Sequence, residues 1–215
     1  MNIFKRFLAF VRGVSLEDPG PYSSIRAVYK YEVKNAILGY LVDDSTNPVK
    51  YRNQMAKAMV TAFKDAFDRG YIDGGGSTSE MEQSDRDWVY SKQITERGFI
   101  NQLFDRLKEL KKEEPDEDNT GEADARSESY STTLDGVYSE GVLRGNKNQM
   151  LTFDGDDGEE SCPECRKLKG KRHSSKWWVN RGLIPGQPGN QNYTCRGYNC
   201  HHYLYNDSGE IIVGH

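Results

Sequence analysis

All four cysteines of the chain fall in two short stretches near its C-terminus: SCPECRKLKGKRH carries Cys162 and Cys165, and TCRGYNCHH carries Cys195 and Cys200. A Cys-x2-Cys pair on a tight turn points two thiolates at one ion, with sulfurs about 4 Å apart, and a second pair closes a tetrahedron. Cys162/Cys165 has the standard spacing, while Cys195/Cys200 is the looser Cys-x4-Cys. Structural zinc is the leading reading. Disulfides or free thiols are the alternative in an oxidising compartment. A redox pair fits less well, because no βαβ pattern surrounds the first two thiols. His201 and His202 follow directly and are alternatives to Cys200 as ligand, His201 the first of them, against the plainer reading of two histidines beside the site or on the surface. Four thiolates would leave no open coordination position, which argues against a catalytic metal.

The compartment follows from the rest of the chain. No run reaches the roughly 20 apolar residues of a membrane span. The opening MNIFKRFLAFVRG breaks its apolar residues with Lys5, Arg6 and Arg12, so it lacks a signal-peptide core. A reducing cytosol is therefore expected, which tilts the thiols toward metal. The length of 215 residues allows one ordinary domain or two small ones, and a net charge of -4 argues against a generic nucleic-acid binder.

Apolar periodicity predicts a mainly α protein. Ile3, Phe4, Phe7, Leu8 and Val11 share a face of a short basic amphipathic helix, suited to a partner's groove, a membrane surface or its own domain. From Ser24 to about Leu41, Ile25, Val28, Tyr29, Val33, Ile37 and Tyr40 keep helical spacing. Asn47 and Pro48 start a second helix faced by Met55, Met59, Phe63, Ala66 and Phe67. After the break DGGGSTS, Ser84 and Asp87 resemble a capping box opening a helix to about Lys112, with Trp88, Ile94, Leu103, Phe104, Leu107 and Leu110. Residues 113–124, EEPDEDNTGEAD, are acidic enough to be expected as an exposed hinge. The expected organisation is a helical N-terminal region at 1–112, the hinge, and a small zinc-stapled α+β module at 125–215. That module opens with a helix over 125–146 packed through Tyr130, Leu134, Val137, Tyr138 and Gly141. A strand at 149–153 follows, and YLYND and EIIVG pair as a hairpin about Asn206–Gly209.

Between the cysteine pairs the chain is basic. Residues 162–202 hold Arg166, Lys167, Lys169, Lys171, Arg172, Lys176, Arg181 and Arg196 against Glu164 alone. With Trp177 and Trp178 among them, a nucleic-acid surface is one reading, using Lys167, Lys169, Lys171, Arg172 and Lys176 for phosphates and both rings for stacking. The plainer reading lets DGDDGEE at 154–160 offset the charge and the tryptophans fill a small core. An HNH-type nuclease is the weakest reading: His201, His202 and Asn206 suggest it, but no helix with a further histidine follows.

Taken in order, RSESYSTTLDGVYSEGVL, LTFDGDDGEESCPECRKLKGK, LIPGQPG and YTCRGYNCHHYL resemble the C-terminal region of phage head-morphogenesis (minor head) proteins, the phage Mu F-like family. The matching positions are Arg126, Glu128, Phe153, Asp154, Cys162, Cys165, Leu168, Gly170, Pro185, Cys195, Cys200 and His201. Ser127 stands where the family has Thr, and CRGYNC is longer than the family's CRC. The resemblance spans about residues 126–204. It implies a low-copy virion component of the head, near the portal, acting in capsid assembly or genome delivery, with no enzymatic activity. Portal or major capsid protein would be its partner, with packaged DNA a further candidate.

Overall fold

The structure, a computed structural model, describes residues 21–44, 46–113, 120–156, 158, 161–187, 189–197 and 200–214. The amphipathic segment 3–12 and residues 114–119 of the acidic run lie outside the described residues.

Among the described residues four long helices come first: α1 (Pro21–Val42), α2 (Val49–Asp73), α3 (Gln83–Glu113) and α4 (Thr120–Gly145), with one 3-10 turn at Thr78–Glu80. The C-terminal part follows as β1 (Met150–Gly155), α5 (Pro163–Leu168), β2 (Arg172–Ser174), α6 (Ser175–Arg181), β3 (His202–Tyr205) and β4 (Ile211–Val213). The protein is thus mainly helical, with one small antiparallel sheet in the order β2-β1-β3-β4 near the C-terminus. Among the described residues no helix is long and apolar enough to cross a membrane.

Helix α2 is the centre of the helical part and packs on α1, α3 and α4. Its predicted stripe of Met55, Met59, Phe63, Ala66 and Phe67 is buried throughout. On α1, Tyr29, Val33, Ile37 and Tyr40 are buried, whereas Val28 lies at the edge of the face and is exposed. On α3, Ile100, Leu103, Phe104 and Leu107 face inward and Ile94 is exposed. The capping differs from expectation. Asp85, not Asp87, reaches back, accepting the Glu82 N–H at 2.9 Å, and the reciprocal capping box belongs to Ser77 and Glu80 of the 3-10 turn.

Helices α2 and α4 cross backbone to backbone through two glycine pairs spaced by four. A Cβ on Gly70 would lie 2.1 Å from the Tyr138 carbonyl oxygen, and one on Gly74 2.2 Å from that of Val142. From the other side, a Cβ on Gly141 would lie 2.4 Å from Phe67 O, and one on Gly145 2.1 Å from Tyr71 O. Only glycine permits that approach at either helix.

Residues 120–124, expected in the hinge, are the first turn of α4, where Asp124 pairs with Lys34 at 2.5 Å. The two apolar cores meet within α4. Tyr130, Leu134 and Val137 belong to the helical core, and Leu143 to the C-terminal core with Leu151, Phe153, Trp178, Ile184, Tyr193, Leu204 and Val213. Polar contacts fasten the same junction. Ser175 Oγ donates to the Leu143 carbonyl at 2.6 Å, and Arg144 sits between the buried carboxylates of Asp85 (3.0 Å) and Glu140 (2.8 Å).

Candidate metal centre

The first cysteine pair rides on a knuckle. Cys162 is extended at the N-cap of α5, Pro163 takes the first helical position, and Cys165 falls in the same first turn. The two Sγ atoms are 3.2 Å apart. The knuckle ends at Gly170, φ +73°, whose N–H donates to Phe153 O at 2.8 Å while Phe153 N–H donates to Lys171 O at 2.9 Å. Strand β1 thereby fixes where the first pair points.

The second pair comes from the long connection between α6 and β3. Asn190 organises it by donating from Nδ2 to the carbonyls of Gly182 (2.8 Å) and Ile184 (3.2 Å). Arg196, just after Cys195, is left-handed with φ +52°, and Gly197 packs against Gln187 so closely that a Cβ would meet its carbonyl oxygen at 2.0 Å. Those constraints bring Cys195 and Cys200 back to α5. The clip between the segments is Glu164, whose Oε2 accepts the Thr194 backbone N–H at 3.1 Å. That bond, with its own backbone and the Thr194 hydroxyl adding, holds the carboxyl down at about 2.

All four thiols are free, and the four sulfurs gather with one imidazole. Cys162, Cys165 and Cys195 form one triad and Cys165, Cys200 and His202 a second, with the donor atoms of each triad within 4.8 Å of one another. Cys165 belongs to both. Cys162, Cys165, Cys200 and His202 are buried, and Cys195 is only partly so. Of the two histidines weighed as alternative ligands, His202 lies in the cluster and His201 does not. Strand β3 begins at His202 and alternates, so His202 and Leu204 face inward while His201, one residue earlier, is exposed. The imidazole stacks on Phe153, ring centroids 5.3 Å apart.

Electrostatics favour negative charge on part of this cluster. The hydrogen bond from Cys165, helped by the backbone N–H groups of His202 and Gly186, pulls the Cys200 thiol down to about 5. The hydrogen bond to Cys200, then burial, raises Cys165, and burial raises Cys195. The group therefore holds a thiolate against burial only by sharing protons among neighbours, and a cation would serve better. Tyr193 adds to the mismatch: its hydroxyl is buried without a hydrogen-bond partner among the described residues, and burial beside the thiols raises its phenol. Three or four thiols plus an imidazole are a donor set for a soft or borderline metal ion. Sequence reasoning missed Glu164 and Tyr193; the one signal for Glu164 was its isolation as the only acid in a basic stretch.

The residues proposed to meet nucleic acid do not share one open face. Trp178 is fully buried, packs on Phe153 and donates Nε1–H to Leu151 O at 3.2 Å, so its ring is unavailable to a base. Trp177 is partly exposed, stacked on His173 with centroids 3.6 Å apart and carrying the Arg181 guanidinium at 4.2 Å. Arg172 makes a two-pronged pair with Asp207, and Lys169 lies 3.9 Å from Asp154. Lys167, Lys171 and Lys176 are exposed. Comparison with models of known protein families, with curated proteins and with solved structures finds no match.

Proposed function

We propose that this chain is a phage minor head protein whose C-terminal part is a zinc-stapled docking module. The observation that carries the reading is the meeting of motif positions far apart in sequence. Phe153, Cys162, Cys165, Leu168, Cys195 and Cys200 pack into one core, planted on the end of the helix that carries Arg126 and Glu128. Zn2+ is the ion that best suits such donors, since it has no redox chemistry and accepts tetrahedral thiolate and imidazole sites. Cys162, Cys165, Cys200 and a further donor from Cys195 or His202 would hold it. The ion would link both ends of a module too small to be stable on apolar burial alone.

In this reading the module is structural and interacting, without catalysis, because a site closed by protein ligands leaves no position for an activated water. It acts in the virion head near the portal, against portal or major capsid protein, in assembly or genome delivery. The paired and buried state of Arg172, Lys169 and Trp178 weighs against nucleic-acid binding as the main role. Quantitative mass spectrometry of purified particles, filled and empty, tests the assignment. The chain is expected at a few to a dozen or so copies per head. Its absence from all particles would overturn the head-protein reading.

A further inference from the structure

Five donors converge where a tetrahedral ion takes four. The surplus is not arbitrary, because the donors differ in access. Cys162, Cys165, Cys200 and His202 are all buried. Cys195 is the partly exposed member, and it belongs only to the triad with Cys162 and Cys165, while His202 belongs only to the triad with Cys165 and Cys200. The supports differ too. His202 is the first residue of β3, fixed by pairing of that strand with β1 through Gly155↔His202, and its ring is stacked on Phe153. Cys195 precedes the left-handed Arg196 in a turn held by single hydrogen bonds, Arg196 N–H to Tyr193 O at 2.9 Å and Gly189 N–H to Arg196 O at 2.8 Å.

We infer that Cys195 is a displaceable ligand and that His202 takes its coordination position, so that the module keeps its metal as a Cys3His site when Cys195 is modified. The inference rests on the metal-binding reading above. The chemical partner is a soft electrophile of the Michael-acceptor class: the metal–sulfur bond breaks, the Cys195 sulfur forms a thioether bond to the acceptor's β-carbon, the carbon–carbon π bond opens with the adjacent carbon taking a proton from water, and the imidazole nitrogen fills the vacant position. No oxidant is needed, and the ion stays at the same charge. Three anchors on sheet and knuckle remain, so the fold around the ion is retained.

The test uses the full-length, metal-loaded protein in reducing buffer, with the cobalt(II)-substituted form as a reporter of ligand type. Wild type, Cys195→Ser, His202→Ala and the double variant are compared for metal per chain and for the visible cobalt bands. Cys195→Ser is expected to keep one metal per chain with its bands moved to higher energy, as nitrogen replaces sulfur. The double variant is expected to lose its metal, and the His202→Ala protein to release its metal once Cys195 is alkylated. Independently of any substitution, limiting N-ethylmaleimide on the zinc form should label Cys195 first, mapped by peptide mass spectrometry, with zinc retained. Loss of metal from Cys195→Ser, or zinc release in step with Cys195 labelling, would overturn the inference while leaving a metal site intact. A wild-type chain that binds no metal would overturn the metal reading itself.

Discussion

The backbone N–H of Thr194 donates to Glu164 Oε2 at 3.1 Å, which ties the residue before Cys195 to the residue between Cys162 and Cys165. The contact presets the approach of the two cysteine-bearing segments before any ion binds. Its carboxylate, held down at about 2, is ionised throughout the neutral range, so this clip adds no pH dependence between about pH 5 and 9. Glu164→Gln keeps the shape but removes the charge from the acceptor, and it should weaken metal affinity by about 10-fold, the lower end for outer ligand supports. Competition against a chelator at fixed pH measures this, and an unchanged affinity would show that the segments meet without the clip.

A second expectation concerns the α2/α4 crossing. Alanine is the better helix former by up to about 1 kcal/mol, so propensity alone predicts that Gly141→Ala stabilises. The Cβ would sit 2.4 Å from the Phe67 carbonyl oxygen, which forces the helices apart. Overpacking should win, with a net loss of about 1–3 kcal/mol in denaturant unfolding. Gly98→Ala is the control, since that Cβ meets nothing within 4 Å, and it should stabilise. Equal shifts in the two variants would refute the close crossing.

The helical layout could be read from sequence because each long helix carries its own three-and-four stripe, and α1 to α4 fall where those stripes run. The hairpin could be read from turn chemistry: Asn206 Oδ1 accepts from Ser208 and Glu210 N–H, and Gly209 is left-handed with φ +78°. The elements inside the basic stretch could not. Helices α5 and α6 and strand β2 are too short to show a period. Trp177 and Trp178 look alike in sequence, yet α6 turns one into the core and leaves the other at its edge. The same limit left the choice between His201 and His202 open, because strand phase depends on which residue makes the first pair with β1.

Acid should stabilise the helical core through Glu96. Its carboxyl is buried in α3, and that burial, only partly offset by Lys92, pushes it up to about 7. Tyr29 and Tyr130 lie within its field. Below the unfolded value, near 4.5, the group is neutral in both states and costs nothing. Between about pH 4.5 and 7 the unfolded chain is ionised while the folded one keeps its proton, so stability falls by about 3 kcal/mol across that window and levels off above it. Glu96→Gln should flatten the profile and be the more stable protein at pH 8. Urea unfolding followed by far-ultraviolet circular dichroism at pH 5 and 8 decides it, and parallel profiles for the two proteins would sink the assignment.

Metal removal should divide the molecule along its two cores. The C-terminal core has a small sheet, two short helices and the thiol cluster, whereas the helical core has four long helices locked by the glycine crossing. On the metal-binding reading, the ion's contribution to folding would fall on the first alone. In Cys162→Ser, or after chelation, amides over 150–213 should lose hydrogen-exchange protection while those of α1, α2 and α3 keep theirs. Tryptophan emission should report the same event, since Trp178 is fully buried in the C-terminal core and Trp88 packs on the helical one. The end of α4 is the place to watch. Its Leu143 serves the C-terminal core, but Gly141 and Gly145 are clamped to α2, so the helix should hold through Gly145 even when the sheet opens. Simultaneous loss of protection in both parts would mean that α4 couples the cores into one cooperative unit, and full retention would mean that the sheet stands without its staple.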